Sequence, residues 1–541
     1  MLASPPIGLW PLAWLAFLPT LWLIAGAPRA SRAGLVAWTT GVTITLGGFH
    51  WFVFPFVDHT GTPWPAAIAL LLGLAAYQAL SLMLAGRAIW WIRAWSARRR
   101  GRPLPMALVA PLAFVGLEHA LPVIFPYTIA ISQTSVLPVI QIADLFGAPA
   151  IAALLLAVAG AAWDVVERGR AAWRAPAAVG ALLVATLGYG AWRLHDVDAT
   201  RAAAPRLRVG LVQPNERMDL EAHDRDADLA LLEDMQRQTA ALEAAGAQVV
   251  VWSEASFPAD LPRRLAHDLP DSSPWRIRRG FTVPVVIGSL SEERVDGTRR
   301  RYNSAYLLVD DDVRGRHDKI DRVLGSEWNP VVEWFPSLSK WMPPGFSRGD
   351  APQTLPLDVD GRTVRLGPMI CMEDVVPRFA RDLAPGHPSV LVNMTNDSWF
   401  GTFAEPWQHR ALAVFTAIEL RADLVRAVNT GPTGWIDATG RLRAQGPVRA
   451  GGGVAAEGLL VEVAIMDGGH TLYAHIGNAF AWLCLALTLI GWIVARRIRR
   501  ELGVAESSAA AAAEPAERTA PRPGAPSKPR SATRKRGKRR R

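Results

Sequence analysis

Two blocks of apolar sequence, one filling residues up to about 195 and one at about 471–497, bracket a long segment of ordinary soluble composition. This layout constrains the fold more than any other feature of the 541 residues. A helix that crosses a bilayer needs roughly 20 mostly apolar residues. Six stretches before the central segment meet that need, at about 7–26, 34–56, 64–92, 104–125, 136–164 and 176–193, and a seventh lies at about 474–495. The pattern predicts N-terminal transmembrane helices over 1–195 and an extramembrane domain over 205–465. A C-terminal transmembrane helix over 471–500 and a disordered basic tail over 501–541 complete it.

The loops between the apolar runs sort by charge. Pro28–Arg32, Arg93–Arg102 and Arg168–Arg174 are rich in arginine, whereas the alternate loops near Asp58–Thr62 and Pro126–Thr128 carry no Lys or Arg. Basic loops stay on the cytoplasmic side. The central domain is therefore expected outside the cytoplasm and the tail inside. From Pro515 to Arg541 eleven Lys and Arg face one Glu, a surplus equal to the whole chain's +10. The basic character belongs to the tail, so no nucleic-acid-binding body is expected. With two cysteines far apart, a disulfide framework is excluded, and Cys484, inside an apolar run, reads as a packing residue.

The central segment alternates strand-like and helix-like runs, as an α/β layered sandwich does. Three of its strand-like runs end in chemistry. Val249-Val-Val-Trp-Ser-Glu254 ends in a carboxylate, His317-Asp-Lys-Ile320 presents Lys319, and Gly367-Pro-Met-Ile-Cys-Met-Glu-Asp374 ends in a thiol followed two residues later by Glu373. A thiol attacks an acyl carbon as thiolate, so it needs a base and a nearby cation. Glu254 can be the base. Lys319 can favour the thiolate and the oxyanion of a tetrahedral intermediate.

In order and flanking residues, Glu254, Lys319 and Cys371 resemble the carbon–nitrogen hydrolase (nitrilase) superfamily. Tyr302-Asn-Ser-Ala305, Asn393-Met-Thr-Asn-Asp-Ser-Trp-Phe-Gly401, Pro406-Trp-Gln-His409 and Arg426-Ala-Val-Asn-Thr-Gly431 resemble its membrane branch, the apolipoprotein N-acyltransferases. Trp10-Pro-Leu-Ala-Trp-Leu15 and Tyr473-Ala-His-Ile-Gly-Asn478 are similar to that branch too. The resemblance implies a multi-pass α-helical membrane bundle carrying an inserted nitrilase-like αββα sandwich, in a bacterial inner membrane with its catalytic domain on the periplasmic face. It implies acyl transfer from a membrane phospholipid, through a Cys371 thioester, to the α-amine of a diacylated apolipoprotein. In that scheme Glu327 orients the lysine and Glu373, Asn303 and Trp399 support the site. Neither metal nor diffusible cofactor is implied, and a monomer is expected.

The chain departs from the branch's usual pattern at Ser253 in place of proline, at Met372 in place of tyrosine, and over Asp321–Ser326. The lysine-to-glutamate spacing of eight is kept. His409 reads as structural, Trp399-Phe400 as either a loop anchor or part of an acyl pocket, and the apolar stretch Trp334–Phe346, with Trp341, as an arm that dips into lipid. Two other functions use the same features. In a membrane-anchored amidase water would take the acyl group from Cys371. In an inactive membrane scaffold the three residues would carry no chemistry.

Overall fold

The computed structural model describes residues 2–216, 224–335, 337, 345–401, 404–447 and 457–512, with side chains as far as Arg496. Residues up to Trp492 form one compact unit and those from Ile493 a second. Among the described residues, four helices are long and apolar enough to cross a membrane: Trp64–Arg100, Ala148–Ala172, Arg174–Ala203 and Ala479–Arg496. Ala30–Gly48 and His50–His59, bent by 63°, make a fifth if they form one broken span. Trp10–Ala25, Met106–Ala120 and Leu137–Phe146 are apolar but shorter. The seven-span reading is thus interrupted where the chain cannot stay helical. Pro105 and Pro122 bracket Met106–Ala120, and Gly147, at φ +71°, divides the expected 136–164 stretch.

Small residues let these helices close on one another. A Cβ at Gly86 would lie 2.6 Å from the Ala33 carbonyl oxygen, so Leu80–Arg100 and Ala30–Gly48 meet backbone to backbone there. Asp164 is buried at an end rather than alone. It accepts the Met106 and Ala107 amides at 2.9 and 3.1 Å and pairs with Arg168 at 2.8 Å. Its carboxylate therefore satisfies two of the free N–H groups at the start of Met106–Ala120. Cys484 packs in the same apolar cluster. The last helix runs from Ala479 to Ala512 rather than stopping near 500. The alanine-rich stretch past Val504, of high helix propensity, carries it on. The basic residues of the tail lie outside the described residues.

The central domain has two sheets. The first contains β1 (Arg206–Leu211), β2 (Val249–Val251), β3 (Phe257–Pro262), β4 (Val285–Val295), β5 (Thr298–Val309), β6 (Asp312–Asp318) and β13 (Leu459–Ala464), in order β13-β1-β2-β4-β5-β6 with β3 paired to β4. The second runs β12 (Leu442–Gln445), β11 (Gly434–Ile436), β10 (Asp423–Val428), β9 (Val390–Thr395), β8 (Arg362–Ile370), β7 (Leu355–Val359). Alternate residues of each strand face the partner sheet. Leu207, Val209, Val251 and Leu307 of the first meet Leu366, Val390, Val392 and Val425 of the second in one core. On the outer side of the first sheet lies the helix Arg225–Ala244, through Leu232, Met235 and Leu242. On the outer side of the second lie Pro377–Leu383 and Glu405–Leu420. The result is an αββα sandwich, as the sequence predicts.

The helix Glu405–Leu420 is buried around nearly its whole circumference, because it lies between the sheet and the N-terminal helices. Its apolar cluster includes Ile131, Ile140, Ile151 and Leu154. Charge pins the same junction. Arg421, at the end of this helix, donates to Asp144 at 2.6 Å and to Gln141 Oε1 at 2.7 Å. Nearby, fully buried Asp423 accepts both Arg201 donors at 2.8 Å, the Trp435 indole at 3.0 Å, and the Ala438 and Ala464 amides. Removing one partner of a buried ion pair costs about 3–5 kcal/mol, because the other charge stays buried. Asp423→Asn should therefore lower the thermal unfolding midpoint of the detergent-solubilised protein strongly. An unchanged midpoint would mean this junction carries no stability.

Candidate active site

The three chemical residues all follow the carboxyl ends of strands, where α/β sheets leave room for a ligand. Glu254 comes just after β2, Lys319 just after β6 and Cys371 just after β8. Cys371 opens a short 3₁₀ turn, Cys371–Val375, with φ +52°, a left-handed value uncommon for a side chain with a Cβ. Asn393, on neighbouring β9, holds that turn by donating from Nδ2 to the Cys371 carbonyl at 2.9 Å. Gly288 of β4 lets the strands close under Glu254, since a Cβ there would sit 2.3 Å from the Ser253 carbonyl oxygen.

Lys319 is almost completely buried and donates to Glu254 Oε1 at 3.0 Å and to Glu327 Oε1 at 2.8 Å. Asn303, inside β5, donates to Glu254 Oε1 at 2.8 Å and reaches Glu327 Oε1 at 3.4 Å. The other oxygen of each carboxylate is held by backbone. The Asn396 amide donates to Glu254 Oε2 at 3.0 Å, and the Val323 amide to Glu327 Oε2 at 2.8 Å. Glu373 takes no part in this set. It accepts from the Ile320, Asp321 and Ile370 amides at 2.6, 3.2 and 2.8 Å, and from His317 Nε2 at 2.9 Å. It therefore ties the end of β8, one residue before the thiol, to the segment just past Lys319.

Burial pushes the Cys371 thiol well above its ordinary range; Glu254 adds to this and Lys319 opposes it. Burial also works against the Lys319 charge, but Cys371, Glu254 and Glu327 hold the ammonium well above its ordinary value. Burial raises Glu254, with Lys319 opposing and Glu327 adding to the rise. A raised carboxylate is a stronger base than an exposed one, and here it shares a lysine with the thiol it would deprotonate.

Of the other expected residues, Trp399 stands in the turn Asp397–Phe400, half buried, with its ring 5.1 Å from that of His59 on the bent helix pair. Its neighbour Phe400 packs edge-on against Trp51 at 5.2 Å, and the Trp51 indole donates to Gln408 at 3.1 Å. The apolar stretch is divided. Trp334 and Phe335 are exposed, while Trp341 lies outside the described residues. Phe346 does not belong to a free arm. It is half buried, its amide donates to the Glu327 carbonyl at 2.9 Å, and Arg301 lies over its ring at 5.9 Å. Asn393, Asn396 and His317 were not singled out as site residues by the sequence, although each lies inside a quoted motif.

The N-terminal helices and the sandwich match different family descriptions. Residues 1–161 match the apolipoprotein N-acyltransferase N-terminal domain, and residues 208–457 match carbon–nitrogen hydrolase. An apolipoprotein N-acyltransferase of Geobacter metallireducens is 32% identical over 513 residues, covering 90% of this chain and 91% of that one. The chain belongs to the apolipoprotein N-acyltransferase family. A second relative of that name, from Bradyrhizobium diazoefficiens, is 31% identical over 92% of this chain and 93% of its own. Among solved structures, a carbon–nitrogen hydrolase from Helicobacter pylori aligns over 48% of this chain and 90% of its own, at 16% identity and a TM-score of 0.34.

The electrostatics give a direct test. A base works only when ionised, so acylation should rise as pH climbs through the Glu254 pKa. Because that pKa is raised, the acid limb should lie above the ordinary carboxylate value of about 4.3. Glu254→Gln should lose on the order of 10²-fold or more in acylation rate together with that limb. Single-turnover acylation across pH, with wild type and variant, measures both. An acid limb at the ordinary value, or retained in the variant, would remove Glu254 as the base.

Proposed function

We propose that Cys371 is the nucleophile of phospholipid-to-lipoprotein acyl transfer, with Glu254 as base and Lys319 as oxyanion partner. The observation that carries this reading is the single buried cluster in which Lys319 is bonded to both Glu254 and Glu327 beside the thiol. Glu254 takes the Cys371 proton as the sulfur attacks the ester carbonyl of a membrane phospholipid. The Lys319 ammonium meets the negative charge on the tetrahedral oxygen. Glu254 then returns the proton to the departing lysophospholipid oxygen, leaving a thioester. The α-amine of a diacylglyceryl-cysteine attacks that thioester, Glu254 takes the amine's proton, and an amide forms as the thiol is restored.

Glu327 fixes the ammonium without joining the proton transfer. Glu373 sets the position of the thiol relative to the lysine through three backbone amides. Trp399 and Phe400 connect the site's loop to the bent helix pair, which supports an acyl entrance on the bilayer side. Cys371→Ala should form no acyl-enzyme while still accumulating in the membrane. Mass spectrometry of the wild-type intermediate should map the acyl group to Cys371. The isolated acyl-enzyme should be long-lived and be discharged by a diacylated Cys-peptide. Rapid hydrolysis that ignores the peptide would make the enzyme an amidase, and an adduct on Cys484 would move the site.

The membrane reading follows from the apolar helices and the charge-sorted loops. The protein resides in a bacterial inner membrane, with the sandwich outside the cytoplasm, where acceptor lipoproteins lie, and the basic tail inside. A reporter inserted at Gly297, in the exposed turn between β4 and β5, should behave as periplasmic and one fused after Arg541 as cytoplasmic. The reverse pattern would defeat both the orientation and the acceptor.

A further inference from the structure

Beside the proposed site lies a second buried set of charges that the reaction above does not use. His409 stands on the helix Glu405–Leu420 with both ring nitrogens facing carboxylates. Nε2 is 2.8 Å from Asp374 Oδ1, in the turn that begins with Cys371. Nδ1 is 3.5 Å from Asp397 Oδ1 and 3.7 Å from Glu405 Oε1. All four side chains are buried. Asp374 also takes the buried Arg426 through its other oxygen. Neither oxygen of Asp397, nor Oε2 of Glu405, has a hydrogen-bond partner among the described residues.

A neutral imidazole satisfies one side of this arrangement only. With its proton on Nε2 for Asp374, its Nδ1 lone pair would point at two carboxyl groups in a water-poor interior. A second proton on Nδ1 turns that repulsion into a charge-assisted contact. The set then balances. Arg426 offsets Asp374, the imidazolium offsets Asp397, and Glu405 is left as a neutral acid. Burial opposes the His409 charge, but Asp397, Glu405 and, from further off, Glu254 raise its affinity for the proton. Burial and Asp397 push Glu405 well above the ordinary carboxylate range.

The contacts of His409 join the two backbone segments that set the chemistry. Asp374 belongs to the nucleophile's turn, whose carbonyl is also held by Thr416 of the same helix at 2.5 Å. Asp397 follows Asn396, whose amide holds Glu254. We propose that His409 is a positioning residue which, as an imidazolium, clamps the Cys371 turn and the Asn396 loop to one helix, and shields the thiol from the Asp397 charge. This rests on the reading of Cys371 and Glu254 given above, and its first test is independent of activity.

In full-length protein labelled at histidine with ¹⁵N, the His409 ring, assigned by its loss in His409→Gln, should show both nitrogens protonated at pH 7.5. A single-proton tautomer there would overturn the proposal. His409→Gln should acylate at least 10-fold more slowly, with a pH profile shifted to higher pH as Asp397 opposes the thiolate. Adding Asp397→Asn to that variant should recover much of the rate, since the unbalanced charge is gone. A merely structural histidine predicts a lower melting point with an unshifted profile and no recovery, and either result sinks the clamp. The donor atoms of Asp397, Glu405 and His409 also lie within 4.8 Å of one another, close enough to share a divalent ion. One equivalent of tightly held metal in the purified protein, or activity lost to a chelator and restored by that metal, would replace the imidazolium with a metal site.

Discussion

A nearly fully buried ammonium is the constraint around which the catalytic half of this molecule is arranged. Taking Lys319 out of water would cost several kcal/mol if it were alone. It is not alone: Glu254 and Glu327 each accept from it, and backbone amides occupy their remaining oxygens. One lysine and two carboxylates leave the set with one excess negative charge. A thiolate formed by loss of a proton to solvent would add a second, and that repulsion adds to the burial which holds the thiol well above its ordinary range. Passing that proton to Glu254 instead leaves the total unchanged. The cluster therefore disfavours a resting thiolate and permits an internal transfer at the moment of attack. That suits the proposed role of Cys371, a thiol that waits for a lipid substrate without reacting with other electrophiles.

The sandwich and the N-terminal helices belong to one compact unit. Buried charges need a rigid surround, and the helix Glu405–Leu420 supplies it. One side packs on the second sheet, beneath the strands that carry Cys371 and Asn396. Another packs on the short apolar helices near Ile131 and Ile140, with the Arg421–Asp144 pair fixing the register. The Trp51–Gln408 bond ties the start of that helix to the bent helix pair. The bent pair packs against Trp399 and Phe400, in the turn that follows Asn396, whose amide holds Glu254. Membrane attachment and catalytic geometry are thus carried by shared residues, unlike a soluble domain merely tethered by an anchor.

The sandwich class, the helical membrane region and the candidates Glu254, Lys319 and Cys371 are legible because each leaves a local signature, whereas Glu327 enters through the family resemblance. Apolar runs and strand-like runs ending in a polar residue show in one dimension. What stayed hidden depends on pairings between distant segments. Glu373 lies two residues from Cys371 and so reads as a neighbour of the thiol, yet its bonds go to the segment beyond Lys319. His409 reads as structural because its partners Asp374 and Asp397 arrive from two other strand ends. Helix continuity was misjudged where hydropathy is uniform but prolines break it, as around Met106–Ala120. Phe346 read as part of a lipid-seeking arm because aromatic content is visible in sequence, whereas the Arg301 lying over its ring is not.

At two of the departures from the family pattern, the backbone places the neighbouring carboxylate. Glu327 is placed by a turn closed through backbone: its own amide donates to the Val323 carbonyl at 2.9 Å, and its Oε2 accepts the Val323 amide at 2.8 Å. Any residue with an N–H can make the contact from position 323. The changed residues take up other work. Asp321 pairs with Arg378, and Arg322 donates to the Phe346 carbonyl at 2.8 Å, drawing the far end of the apolar stretch toward the turn that holds Glu327. Ser253 sits in a fully buried place where its hydroxyl has no hydrogen-bond partner among the described residues, while its carbonyl accepts from Ser256 at 2.8 Å. The backbone path into Glu254 is therefore kept by the carbonyl and by Gly288 below it. Chemistry here depends on where the backbone leaves each strand, which is how the reaction can be kept while the loops around it change.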